Sequence, residues 1–385
     1  MINGLKLKQV REILGLTQGE LAEELNVSQS TIAYIEGGYL QPAEELLQKI
    51  CDVTLFPRSF FERIEVTDFP YGSLLYRSRA SLDASEKTQA NRYGQLMFEI
   101  AEKLSRRLNS PQFSLPKGKV DAITRAGITR SNLGYVPEEP IDDLIYDLEK
   151  KGVLIFNSPT PLSKIDAFST WAGFENKKPV IVLISAEDQT TYRTRFTVAH
   201  ELAHLMLHAT LFGDIHEFER EANTFAAELL LPAEIMAGLI VGPLSLLRAI
   251  KIMEEWKVSI QAVIKRAHEL HLITDNNYKS LYVQISQQKK KIQEIENKVP
   301  KEKPRCLRAM AEATFYPKKI NYQQLAKDVG LPIPILKKII EAQANKEEYT
   351  RSNVTPSERK VIKFPENRSF SYHLTDEDID EDLSN

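Results

Sequence analysis

The stretch RFTVAHELAHLMLH, Arg195 to His208, constrains this chain more than any other. Apolar residues at Phe196, Val198, Ala199, Leu202, Ala203, Leu205 and Met206 describe a helix buried over most of its surface. The same helix carries three histidines and a glutamate. Residues four apart lie one turn apart on one helix face, so His200 and His204 point the same way, with Glu201 beside them. On a solvated helix this spacing would mean little. Buried imidazoles beside a buried carboxylate need partners, and the rest of the chain must supply them.

A metal ion is the partner that fits. Zinc accepts imidazole nitrogen, and its catalytic sites keep one position for water, whose pKa falls to about 7. A carboxylate placed as Glu201 is can take that proton as the water attacks a carbonyl. His-Glu-x-x-His on a helix is a metallopeptidase signature for this reason. A third protein ligand is required, and the following helix, EFEREANTFAAELLLP, offers Glu219, Glu221 and Glu228. Glu219 ranks first because it shares a face with Ala222, Asn223 and Ala226, and small alanines let two helices approach. Asn223 can then orient a ligand from behind. Glu221 aligns with Phe225 and Glu228 and ranks second. His208 ranks third, one turn too far along to share the ion, and His216 reads as loop surface. Upstream, PVIVLIS (179–185) reads as a strand whose exposed edge can pair with an extended peptide.

A chain of 385 residues is long enough for two or three domains. No run approaches the roughly 18 to 20 apolar residues of a membrane span, and MINGLKLKQVREIL lacks the features of a signal peptide. Cys51 and Cys306 imply no disulfide framework, so a cytoplasmic location is expected. Four regions are read: a compact helical unit over 1–66, a helical linker over 67–117, a mixed α and β region over 118–285, and a helical region with an acidic tail over 286–385. Within the last, QQKKKIQEIENKVPKEKPR reads as a charged, exposed connector, and TDEDIDEDLSN as a solvated tail.

The segments RFTVAHELAHLMLH and EREANTFAAELLLP together resemble the ImmA/IrrE family of gluzincin-like metallopeptidases, whose members often cleave a cognate repressor. PIDDLIYDLEKKGVLIF, IDAFSTWAGF and WKVSIQAVIKRAHELHLI extend the resemblance over about 65–285. It implies His200, His204 and Glu219 as zinc ligands and Glu201 as general base. Ala167 stands where glycine is expected, and Ile184-Ser185 replace a Leu-Asn pair; both departures are expected at the substrate-side rim.

LTQGELAEELNVSQSTIAYIEGG resembles the helix-turn-helix of Xre/Cro-like repressors. Leu21, Ala22, Leu25, Val27, Ile32 and Ile35 would form its core, with Asn26 in the turn and Thr17 and Ser28 as N-caps. The second helix of such a pair reads base edges from the major groove. Here Gln29, Ser30, Thr31 and Tyr34 would do so, while Gln18 meets a phosphate. Over 1–66 six basic residues face ten acidic ones, and Ser28–Glu36 holds no Lys or Arg. Cationic contacts supply most non-specific DNA affinity, so a protein-docking module is the competing reading. YQQLAKDVGLPIPILKKIIEA faintly echoes the same pattern, but Pro332 and Pro334 crowd its second helix and a plain helical pair is expected.

The expected fold is therefore multidomain and mainly α with an α+β core: an all-α helix-turn-helix, a zincin-like α+β peptidase domain and a C-terminal helical region. The expected function is a DNA-binding regulator and zinc endopeptidase acting on a repressor or similar protein, with a homodimer possible and no membrane partner. A non-proteolytic regulator sensing a ligand or metal is the alternative, but it has no need of Glu201.

Overall fold

The computed structural model describes residues 1–64, 67–75, 84–108, 110–116, 118, 120–160, 165–184, 190–208, 214–297 and 299–345. Helix signals near the N-terminus are local, and the structure follows them. α1 (Gly4–Ile13) leads to α2 (Gln18–Leu25), which Thr17 and Glu20 close with a reciprocal capping box. Asn26 takes a left-handed conformation (φ 52°, ψ 48°) and turns the chain. Ser28 then caps α3 (Gln29–Glu36), followed by α4 (Glu44–Thr54) and α5 (Arg58–Phe61). Leu7, Val10, Leu21, Leu25, Ile32 and Ile35 are all buried between them.

α6 (Ala84–Ser105) packs on α1. After α7 (Ala122–Leu133) and α8 (Leu144–Lys150) come three strands, β1 (Leu154–Asn157), β2 (Ala167–Ala172) and β3 (Lys178–Leu183). Their order is β1-β3-β2, with β1 parallel and β2 antiparallel to β3, so the strand expected to expose an edge is paired on both sides and the edge nearest its expected position belongs to β2. Both faces of this sheet are buried, and period-two alternation sends successive residues to different cores. Ile155, Ala167, Ile181 and Leu183 face the helices described next. Phe156, Phe168, Val180 and Val182 join the core that also contains the residues of α1 to α6.

The first of these cores is covered by α9 (Thr191–Leu207) and α10 (Ile215–Leu230), then α11 (Ala233–Leu239), α12 (Leu246–Trp256), α13 (Ile260–Glu269), α14 (Asp275–Gln287) and α15 (Lys289–Glu296). The second core closes with α16 (Cys306–Phe315), α17 (Tyr322–Val329) and α18 (Ile333–Glu341). α16 also packs on α6, so the segment expected as a linker contains a buried helix that serves both ends of the chain.

The expected exposed connector differs in the same way. Glu302 and Arg305 within it are buried, because Glu302 pairs with the fully buried Arg195 and Arg305 pairs with Asp143. Ala167 also departs from expectation: it is fully buried in the first core rather than at a rim. Ser185 and the acidic tail lie outside the described residues. Among the described residues no helix is long and apolar enough to cross a membrane.

Candidate metal centre and helix-turn-helix face

Thr190 caps α9 and Asp214 caps α10, each accepting a backbone N–H from the first turn. Ala199 and Ala203 on α9 and Ala222 and Ala226 on α10 are fully buried, and small side chains of this kind let the two packed helices come close. That approach brings Glu219 to the paired histidines. His200 Nε2 and His204 Nε2 lie 3.1 Å apart, with Glu219 Oε2 3.5 Å from the first and Oε1 3.4 Å from the second. Four ligands at about 2.0–2.1 Å from a tetrahedral zinc would lie roughly 3.3 Å from one another. The cluster has that size.

The protons on these groups point outward. His200 Nδ1–H donates to Asn223 Oδ1 at 3.1 Å, which leaves the Nε2 lone pair facing inward. On the other histidine the chain of contacts is longer. Ionised Glu221 can only accept, so His208 Nε2–H donates to its Oε2 at 2.9 Å. Burial holds His208 below the usual histidine range and so favours its neutral form, opposed by the hydrogen bond to Glu221. A neutral His208 must accept at Nδ1, from His204 Nδ1–H at 3.0 Å. His204 Nε2 is thereby also a lone pair. Two lone pairs and a carboxylate then converge with no proton among them, and Glu219 Oε1 is buried without a hydrogen-bond partner. A cation satisfies all three groups, so the residues present fit zinc.

Among the described residues His200, His204 and Glu219 form a group that can hold a metal. Glu221 and His208, ranked behind Glu219 as ligands, instead line up behind His204. Glu228 pairs with Arg266, and His216 lies exposed in the first turn of α10 rather than in a loop.

Glu201 has partners that the helix pattern did not reveal. It is fully buried, and its Oε2 accepts from Ser73 Oγ at 2.7 Å and from Ser169 Oγ at 2.8 Å. Ser169 lies on β2, the edge strand beside α9. Ser73 lies in a 3₁₀ turn, Gly72–Leu75, that packs along the outer side of β2. The N–H of Ser169 donates to Ser73 Oγ at 2.8 Å, and the N–H of Gly173 donates to Asp68 O at 2.8 Å. One backbone donor of the edge strand and another just past its end are thus taken by residues 68–73. Only glycine fits at position 72, where a Cβ would stand 2.0 Å from Ser169 O. No sequence signal marks Ser73, and IDAFSTWAGF holds β2 without the β-branched run that announces β3.

In the N-terminal unit Gln29 and Ser30 are exposed at the start of α3, Tyr34 is 57% exposed, and Thr31 is half-buried. Ser28 Oγ bonds Ser30 Oγ at 2.7 Å and Thr31 Oγ1 at 2.8 Å. Gln18, expected to meet a phosphate, donates to Glu36 Oε2 at 2.8 Å.

Comparison with known families bears out both family resemblances. Residues 148–268 match the IrrE N-terminal-like domain, and residues 7–55 match the helix-turn-helix family. The chain joins a helix-turn-helix to an IrrE N-terminal-like domain. The matched range of the IrrE-like domain contains Ser169, His200, Glu201, His204, His208, Glu219, Glu221 and Asn223, whereas Ser73 lies between the two matches. No curated protein matches the chain significantly. Among solved structures, Bacillus thuringiensis PlcR in complex with the peptide PapR7 and DNA aligns at 16% identity over 91% of this chain and 98% of that one. Its TM-score of 0.15 is too low to relate the two folds.

Proposed function

We propose that this chain is a DNA-binding regulator with zinc-dependent endopeptidase activity, directed at a repressor or similar regulatory protein. The observation that carries the reading is the convergence of two imidazole lone pairs and a carboxylate beside the buried Glu201. His200, His204 and Glu219 would hold zinc. Bound there, zinc supplies the Lewis acidity that makes water a nucleophile near neutral pH. Asn223 and the His208–Glu221 pair keep the imidazoles turned inward, and Glu201 takes the proton of the attacking water. An extended peptide would lie along β2 as an added strand. The test is to load the chain with zinc and offer it the regulatory proteins encoded beside its gene. Stoichiometric zinc with no cleavage of any of them would favour a ligand- or metal-sensing regulator.

Residues 68–73 stand on the edge that such a peptide needs. A hydrogen bond to a charged group contributes about 1.5–3 kcal/mol, and each 1.4 kcal/mol is about tenfold in an equilibrium. Ser73→Ala should therefore free the edge more often and raise cleavage by roughly tenfold. A fall in rate would instead make Ser73 part of the catalytic arrangement.

The N-terminal unit would read an operator through α3, and a pair of chains would suit two half-sites. Gln29→Ala should relax preference at one base pair by about 1–3 kcal/mol if its contact is bidentate. Zinc content should not change, since α3 and the metal helices belong to separate cores. Binding of the full chain to the DNA around its own gene checks this, and capture of a protein by the unit with no sequence preference at any salt would support the docking reading.

A further inference from the structure

Among the described residues the last three helices repeat the first three. α1 and α16 have 10 residues each, α2 and α17 eight each, and α3 and α18 eight and nine. After α17 the turn residue Gly330 adopts φ 62°, ψ 53°, as Asn26 adopts φ 52°, ψ 48° after α2. Leu331 N–H donates to Ala326 O at 3.0 Å, as Val27 N–H donates to Ala22 O at 3.0 Å. Corresponding core positions are buried in both units: Leu21 and Leu325, Ala22 and Ala326, Leu25 and Val329, Ile32 and Leu336, Ile35 and Ile339. Pro332 and Pro334 do not spoil the second helix, because they fall at its N-cap and first turn, where no N–H is needed. The expected plain pair is a helix-turn-helix in geometry.

Charge separates the two units. Every cation of the first is engaged within the protein: Lys6 with Glu99, Lys8 with Glu12, Arg11 with Glu36, Lys49 with Leu25 O, Arg58 with Glu44 and Glu62, and Arg63 with Val329 O. In the second, Lys318, Lys319, Lys327, Lys337 and Lys338 are exposed. Lys337 pairs with Glu341 at 3.8 Å, as Lys8 does with Glu12 at 4.0 Å, and among the described residues Lys318, Lys319, Lys327 and Lys338 have no ion-pair partner. Where α3 offers Gln29 and Ser30, α18 offers Ile333 and Pro334, which present no side-chain hydrogen-bonding group.

We infer that α16–α18 form a second duplex-binding surface, one that grips DNA phosphates through these lysines without reading sequence. The first unit has recognition groups and no spare cation; the second has cations and no recognition groups. A cationic helix-turn-helix offers duplex DNA both the shape and the charge it requires.

The test measures binding of the full chain to a random-sequence duplex over a range of salt. Lys327→Ala, Lys337→Ala and Lys338→Ala combined should lower affinity roughly tenfold or more and flatten the log–log salt slope by about 0.9 for each phosphate no longer neutralised. The corresponding triple arginine variant should keep the slope, which separates charge from damage to the fold. The operator reading above is judged by preference between operator and random-sequence duplex, whereas this inference is judged by the salt slope on the random duplex alone, so the two fail separately. An alanine variant with wild-type melting, affinity and slope overturns the inference, as does one whose sequence preference changes while the slope stays.

Discussion

Replacing Glu201 by glutamine should leave zinc in place and lower peptide cleavage by roughly 10² or more, the usual contribution of a positioned general base. The substitution keeps size and shape, and a glutamine carbonyl can still accept from the hydroxyls of Ser73 and Ser169 that now bond Oε2. What disappears is basicity. Glu219→Gln should behave in the opposite way. Its carboxylate faces both imidazoles, and loss of that charge removes the counterpart of the cation, so metal retention should weaken first. Metal analysis and a cleavage assay on both variants separate the roles. Equal metal loss in the two would sink the assignment, and a Glu219→Gln chain that keeps its zinc would direct attention to Glu221, 2.9 Å from His208.

Removing the histidine ligands should have the largest effect on stability. Metal binding and folding are coupled, and a ligand present at 100 times its dissociation constant adds about 2.7 kcal/mol to the folded state. The wild-type chain should therefore melt lower after chelation, while His200→Ala and His204→Ala chains should be insensitive to zinc and chelator alike. His204→Ala should also be the less stable of the two in the absence of metal, because it deprives the buried His208 of the N–H that its Nδ1 accepts. Calorimetry with and without zinc reads both effects. Full zinc occupancy in the double variant would place the metal elsewhere.

The same centre divides into what was legible in the sequence and what was not. His200, Glu201 and His204 are related by helical periodicity, a property of neighbours, so their common face follows from spacing alone. Glu219 and Asn223 needed one further step, the packing of α10 on α9, and the alanines at 222 and 226 announced it. The caps at Thr17 and Ser28 and the turn at Asn26 are equally local, and the structure has them where the residue types require.

Beyond one or two helices that reasoning stops. Ser73 and Ser169 reach Glu201 across 128 and 32 residues, respectively. A serine carries no pattern that predicts such a partner. The charged run around Glu302 looked solvated because Lys and Glu usually are, yet Arg195, fully buried 107 residues away, draws Glu302 inside. In the C-terminal unit the prolines argued for a plain helical pair, and only the backbone of the turn at Gly330 revealed that it repeats the turn after α2. By itself the sequence determined the helices, their caps and the histidine-bearing face, because periodicity and capping depend on residues a few positions apart. Tertiary structure alone decided which serines hold Glu201 and which segment occupies the edge of β2, because those contacts exist only once distant parts of the chain share a core.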